Sequence, residues 1–76
     1  MGTVDIEQTV EDVLLSDNLY WDGETPSYEE LEQIVRDVVT EITEDHYSRN
    51  DGEIDDWDIW EQDIMFKLNK ILERYE

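Results

Sequence analysis

The segment SYEELEQIVRDVVTEITEDHY, residues 27–47, decides the fold, and we interpret it as one long amphipathic helix. It opens with an S-x-x-E capping box formed by Ser27 and Glu30, directly after Pro26, which suits the entry to a helix. Apolar residues recur along it at helical spacing. They are Leu31, Ile34, Val35, Val38, Val39 and Ile42. This stripe predicts that one side of the helix faces a hydrophobic core.

Acidic residues follow the other side of the same helix. They are Glu30, Asp37, Glu41 and Glu44. At a rise of about 1.5 Å per residue, successive carboxylates of this row lie roughly 5 to 10 Å apart on one helix face. That spacing is close to the spacing of phosphates along a nucleic-acid strand. The sequence therefore predicts a rigid helix that displays fixed negative charge.

A shorter helix is expected before this segment. Thr3 is a plausible N-cap, and apolar residues at helical spacing continue from it. The helix is predicted to run to about Asn18, ending between Ser16 and Tyr20, because Gly23 and the following residues provide turn chemistry.

A third helix is expected after the turn formed by residues 48–53. Asp55 or Asp56 can cap it, and it is predicted to run to about Arg74. Its predicted seam, at steps of three and four residues that suit packing against another helix, is Trp57, Trp60, Ile64, Leu68, Ile71 and Tyr75. We expect both Trp residues of this seam to be core. A second apolar stripe consists of Ile59, Met65, Phe66 and Leu72. It indicates either a wide core face or a surface for a homodimer or another partner.

Length and composition favour one small folded domain spanning residues 1–76. There are 23 acidic residues against 5 basic ones, which gives a net charge of −18 and would normally indicate disorder. The apolar share is 38%, however, and it recurs with helical period. We therefore predict an all-α, three-helix bundle-like domain that folds against some electrostatic self-repulsion.

Several classes of protein do not fit this sequence. It has no cysteine, which excludes disulfide frameworks and thiolate chemistry. No apolar run approaches the ~18 residues of a membrane span, and no signal-peptide pattern opens the chain, so a cytoplasmic location is expected. The lone His46, beside Asp45 near a helix end, is expected to be a surface residue or a C-terminal residue stabilised by the helix dipole, and the many carboxylates show no differentiated pair. We expect no enzyme activity and no cofactor.

The turn around Gly52 resembles the middle of an EF-hand calcium loop. If Gly52 is placed at the sixth loop position, Tyr47 and Arg49 fall at the first and third positions, where carboxylates belong, and the twelfth residue is Asp58 in place of Glu. A capped acidic turn is the simpler interpretation, and no metal site is predicted.

The charge distribution argues against direct nucleic-acid binding, which needs a patch of Lys and Arg. It favours instead a basic protein partner, with attraction that weakens in salt. Aromatic residues next to acids are common binding anchors, and Tyr20 and Trp21, in a predicted turn, are the most open candidates.

In its size, its charge and its rows of helical carboxylates, the chain resembles the small DNA-mimic proteins made mostly by bacteriophages and mobile elements. These proteins inhibit restriction enzymes, uracil-DNA glycosylase, CRISPR effectors or the nucleoid protein HU. The resemblance covers the whole chain and rests on no shared motif. It implies host takeover by a DNA-mimic inhibitor in the host cytoplasm, whose carboxylates occupy phosphate positions in the DNA groove of a host protein. The carboxylates that would do so are Glu30, Asp37, Glu41 and Glu44 together with Asp55, Asp56, Asp58, Glu61 and Asp63.

Other interpretations stay open at this point. An acidic interaction module or adaptor would bind a basic partner without competing with DNA. A helical domain from a halophile would need high salt to fold. A calcium-responsive protein would need the turn around Gly52 to bind calcium. An enzyme would need a pair of carboxylates in different environments.

Overall fold

Three α-helices make up the fold. The computed structural model describes residues 4–16, 19–21 and 23–74, and within these it contains no strand. Helix α1 spans Ile6–Leu14, α2 spans Tyr28–Arg49 and α3 spans Trp57–Glu73. The prediction of an all-α, three-helix bundle-like domain is confirmed.

Helix α1 is shorter than predicted at both ends. Its N-cap is Asp5, whose carboxylate accepts a hydrogen bond from the backbone N–H of Gln8 at 3.1 Å. The prediction of Thr3 as the cap is therefore wrong, because a second acceptor two residues later takes that role; Thr3 itself lies outside the described residues. The helix ends at Leu14 instead of between Ser16 and Tyr20. After Leu14 the backbone N–H of Ser16 donates to the carbonyl of Val13, three residues earlier, at 3.0 Å, so the four-residue pattern of the α-helix is not continued. Residues 17 and 18 lie outside the described part.

Helix α2 begins where the capping box predicts. Ser27 is its N-cap, with the hydroxyl accepting from the backbone N–H of Glu30 at 3.4 Å. The helix continues two residues past the predicted end at Tyr47. It stops because Asp51 and Gly52 adopt left-handed conformations with φ of 55° and 83°, which lets the Gly52 N–H reach the Tyr47 carbonyl at 2.8 Å.

Helix α3 also matches its predicted bounds. Asp56 is the N-cap, and one of its carboxylate oxygens accepts from the backbone N–H groups of Asp58 at 3.0 Å and Ile59 at 3.2 Å. Arg74 is the C-cap. The other predicted candidate for the cap, Asp55, is exposed and precedes the helix.

The core forms around α2, which packs against both α1 and α3. The apolar stripe of α2 is confirmed, with Leu31, Val35 and Val39 fully buried. The complete set of buried apolar side chains is Val10, Val13, Leu31, Val35, Val38, Val39, Ile54, Trp60, Ile64, Leu68 and Leu72. Since every helix contributes to this one cluster, α2 is held on two sides and its remaining side faces outward.

The predicted seam of α3 is only partly correct. Trp60, Ile64 and Leu68 are buried, and Ile71 is partly buried. Trp57 is 46% exposed, so its assignment to the core is wrong. It lies in the first turn of α3, at the end of the bundle, where its ring packs edge-on against Trp60 with centroids 5.2 Å apart. Tyr75 lies outside the described residues.

Candidate partner-binding surface

The acidic row of α2 lies on the solvent-facing side of the helix, with Glu41 close enough to α3 to contact it. Its four members, Glu30, Asp37, Glu41 and Glu44, are all exposed. The buried positions of α2 occupy the opposite side, because core and row fall on different faces of a helix with 3.6 residues per turn. From Glu30 to Glu44 the row spans about 21 Å along the helix axis at 1.5 Å per residue.

Glu41 and Asp37 of the row have defined side-chain partners. Glu41 forms an ion pair with Lys67 of α3, with 2.5 Å between oxygen and nitrogen. Asp37 accepts a hydrogen bond from the Gln33 side-chain amide at 2.9 Å, which leaves its charge unneutralised. The row therefore presents a line of carboxylates in which Glu41 is partly balanced by a lysine.

The acidic residues predicted around the start of α3 do not form one surface. Asp56 caps the helix, and Asp63 binds the ring of His46, so both have structural roles. Asp55, Asp58 and Glu61 are exposed. All five residues of this group stay predicted partner contacts, and Asp56 and Asp63 have a structural role in addition.

The two aromatic candidates differ in their surroundings. Tyr20 is 75% exposed, and its backbone N–H donates to the Asn69 side chain at 3.0 Å, which ties this segment to α3. Trp21 is half-buried, with its indole N–H donating to the Pro26 carbonyl at 2.8 Å and its ring 5.9 Å from that of Tyr28. Tyr20 presents its ring to solvent, whereas Trp21 helps to hold the connection between α1 and α2.

His46 lies in the last turn of α2, as one of its two predicted positions has it, but it is buried, so the alternative of a surface residue is wrong. It is 6% exposed, and its Nε2 lies 2.9 Å from a carboxylate oxygen of Asp63. This contact joins α2 to α3 and satisfies a ring nitrogen that would otherwise be buried without a partner. The position could have been identified from the sequence, because His46 follows Val39 by seven residues and Ile42 by four, and so continues the apolar stripe.

A second polar contact between α2 and α3 was also missed by sequence reasoning. The Trp60 indole N–H donates to the Thr43 hydroxyl at 3.0 Å, and both residues are buried. Nothing in the sequence marks this pair except that Thr43, too, lies on the apolar side of α2. Together the two contacts fix α3 against the face of α2 opposite to the acidic row.

Most of the cations are neutralised within the fold. Arg36 forms an ion pair with Glu7 of α1 at 2.7 Å and lies 3.6 Å from Glu32. Arg49 forms an ion pair with Asp45, one turn earlier on α2. A hydrogen bond to the neighbouring carboxylate and its charge raise the pKa of each guanidinium, that of Arg36 through Glu7 and that of Arg49 through Asp45. With Lys67 paired to Glu41, three of the five basic residues are already matched to acids.

The segment that resembles a calcium loop is a helix end followed by a turn. Tyr47 and Arg49, at the first and third loop positions, belong to α2, and the Tyr47 hydroxyl accepts from the backbone N–H of Val4 at 2.9 Å. Across the described residues, no three acidic or histidine side chains are grouped so that they could hold a metal ion.

Comparison with known proteins gives no match among family models, curated proteins or solved structures. In the part of the chain that the structure describes, no helix combines the length and apolar character needed to cross a membrane.

Proposed function

We propose that this protein is a DNA mimic that inhibits a DNA-binding protein by occupying its positively charged groove. The observation that carries the proposal is the exposed acidic row on the outward face of α2. In this mechanism the carboxylates stand where phosphates of DNA would stand, and the complex competes with DNA without any chemical step.

The geometry of the row supports this role. Its members lie on one rigid helix, and α2 is packed on its other side against α1 and α3. Because the scaffold does not have to reorganise on binding, little conformational entropy is lost when the row meets a partner. The spacing of about 5 to 10 Å along the helix is compatible with the cationic side chains of a groove that binds one nucleic-acid strand.

The charge balance supports the same proposal. The chain carries a net charge of −18, and three of its five bases are consumed by internal ion pairs. A surface of this kind attracts basic proteins over long distances and repels nucleic acid. The target class is therefore a basic DNA-binding protein of the host, such as a nucleoid protein, a restriction enzyme or a CRISPR effector.

The first experiment is a pull-down from bacterial lysate on the immobilised protein, with elution by duplex DNA. We expect one DNA-binding protein to be retained and then released by DNA and by added salt. Retention of a partner that DNA cannot displace would instead favour an acidic adaptor that binds a basic protein segment.

A charge-reversal variant then tests the row itself. We would replace Glu30, Asp37 and Glu44 by Lys and leave Glu41 in place, because its ion pair with Lys67 contributes to the fold. A control variant carries the same change at three exposed acids outside the row, Glu11, Glu53 and Glu73. Both variants have the same net charge, so the mimicry proposal expects loss of target binding in the first variant and only modest weakening in the second. Equal weakening would show that net charge alone is responsible.

A further inference from the structure

The outward face of α3 carries apolar side chains that nothing in the described chain covers. Ile59 is 49% exposed and Phe66 is 66% exposed. They lie seven residues apart, which places them on the same side of the helix, opposite to the buried Trp60, Ile64 and Leu68. Scattered exposed apolar residues are ordinary. These two are aligned, and Tyr20 stands beside them.

A groove runs beside Phe66. It has a volume of about 570 Å³ and is lined by Tyr20, Phe66, Asn69, Lys70 and Glu73. Tyr20 is the wall of the groove that does not belong to α3, and the hydrogen bond from its backbone N–H to Asn69 holds it in place. Two walls of the groove, Tyr20 and Phe66, are aromatic and offer contact to an apolar side chain.

Helix α3 is also split in charge from one end to the other. Asp55, Asp56 and Asp58 lie at its start with no cation among them, whereas near its end Lys70 and Arg74 accompany a single acid, Glu73. Among the described residues, neither of these two cations is in an ion pair. The Lys70 ammonium lies 5.1 Å from the centre of the Phe66 ring, so it belongs to the same face as the exposed apolar residues.

We infer that two copies of this chain pair through the outward faces of α3, with the two helices antiparallel. If the two-fold axis passes between residues 62 and 63, Ile59 of each copy lies opposite Phe66 of the other, beside the groove. The same register brings Lys70 opposite Asp55 of the second copy. Parallel pairing would instead place Lys70 next to Lys70 and Asp55 next to Asp55, which is repulsive. The charge split therefore selects the antiparallel arrangement.

A second copy fits this face better than an unrelated protein does. The face needs a partner with apolar side chains opposite Ile59 and Phe66, a cation facing Asp55 and an anion facing Lys70, and the same face turned end for end satisfies all three conditions. Such self-complementarity is the condition for a two-fold interface. Because each copy has a net charge of −18, long-range repulsion opposes pairing at low salt, and moderate salt strengthens the dimer.

Sedimentation equilibrium over a concentration series, at moderate salt, tests this inference. We expect a species of twice the 9.1 kDa chain mass that dissociates on dilution. Phe66→Glu should give the monomer mass at every concentration. The control is Leu15→Glu, the same substitution at an apolar residue that is 76% exposed on another part of the surface, and it should leave the dimer intact. A wild-type protein that stays monomeric overturns the inference, as does equal dissociation by both variants.

A charge swap tests the register. Lys70→Glu changes two symmetry-related attractions into repulsions and should raise the dissociation constant about tenfold. The double variant with Lys70→Glu and Asp55→Lys should have a dissociation constant within about threefold of the wild-type value. The control is the double variant with Lys70→Glu and Glu11→Lys, which has the same net charge. If both double variants recover dimerisation equally, the proposed register is contradicted. These measurements use the protein alone, and their outcome is independent of whether it mimics DNA.

Discussion

The hydrogen bond between Trp60 and Thr43 offers the sharpest test of how the bundle is held together. Thr43→Val keeps the shape of the side chain and removes only the hydroxyl that accepts from the indole N–H at 3.0 Å. Both residues are buried, with 3% exposure for Thr43 and 8% for Trp60, so water cannot replace the lost acceptor without opening the core. The indole N–H would be left buried and unsatisfied.

The expected cost is about 1 to 3 kcal/mol, which is the usual penalty for a buried donor without a partner. A domain of this length has a total stability of roughly 4 to 11 kcal/mol, so the loss is a substantial fraction of it. At about 4 to 8 °C per kcal/mol, the melting temperature should fall by roughly 4 to 24 °C.

Urea unfolding followed by far-ultraviolet circular dichroism measures this effect. The matched control is Thr40→Val, the same substitution at a half-buried position one turn earlier on α2, where the change should stay within about 0.5 kcal/mol. If the two variants unfold at the same urea concentration, the reasoning that a buried polar contact orients α3 is refuted.

Three other predictions concern single features of the chain. Asp51→Gly should stabilise the fold by up to about 1 kcal/mol in urea unfolding, because Asp51 has a φ of 55° that glycine adopts more readily; destabilisation would mean that the Asp51 side chain contributes to the turn. Asp56→Ala should cost about 1 kcal/mol by loss of the α3 cap, whereas Asp55→Ala should cost much less, and equal costs would contradict the assignment of the cap. Moderate salt should raise the melting temperature at a fixed low protein concentration by screening self-repulsion, and a fall would show that the internal ion pairs outweigh it.

The elements with strong local signals could be predicted from the sequence. The capping box at Ser27 located the start of α2, and the acidic residues before Trp57 located the start of α3. Helix α1 was predicted too long because Thr3 and Asp5 are both good caps, and local preference does not choose between them. The long apolar stripe of α2 was sufficient to predict which side of that helix is buried.

The features that depend on tertiary packing could not be predicted in the same way. Heptad-like steps put Trp57 and Trp60 on one seam but do not say where the neighbouring helix passes, and only Trp60 is covered. The apolar stripe of α2 places His46 on the buried side of the helix, but it does not show which group satisfies the ring there. Its partner, Asp63, is 17 residues away on another helix, and no local pattern reveals it.

Because the buried side and the acidic row of α2 are separate, the surface charge of this helix can be changed by substitution without altering its packing. Two buried contacts between α2 and α3, Trp60 with Thr43 and His46 with Asp63, lie away from the acidic row, and within the row Glu41 pairs with Lys67 of α3. Substitution of Glu30, Asp37 or Glu44 therefore alters the surface charge at little cost in stability, since changes at exposed positions usually stay within about 0.5 kcal/mol. Under the proposed mimicry, a target groove with a different pattern of cations is matched by moving carboxylates along α2, while the buried contacts between the helices keep the scaffold the same.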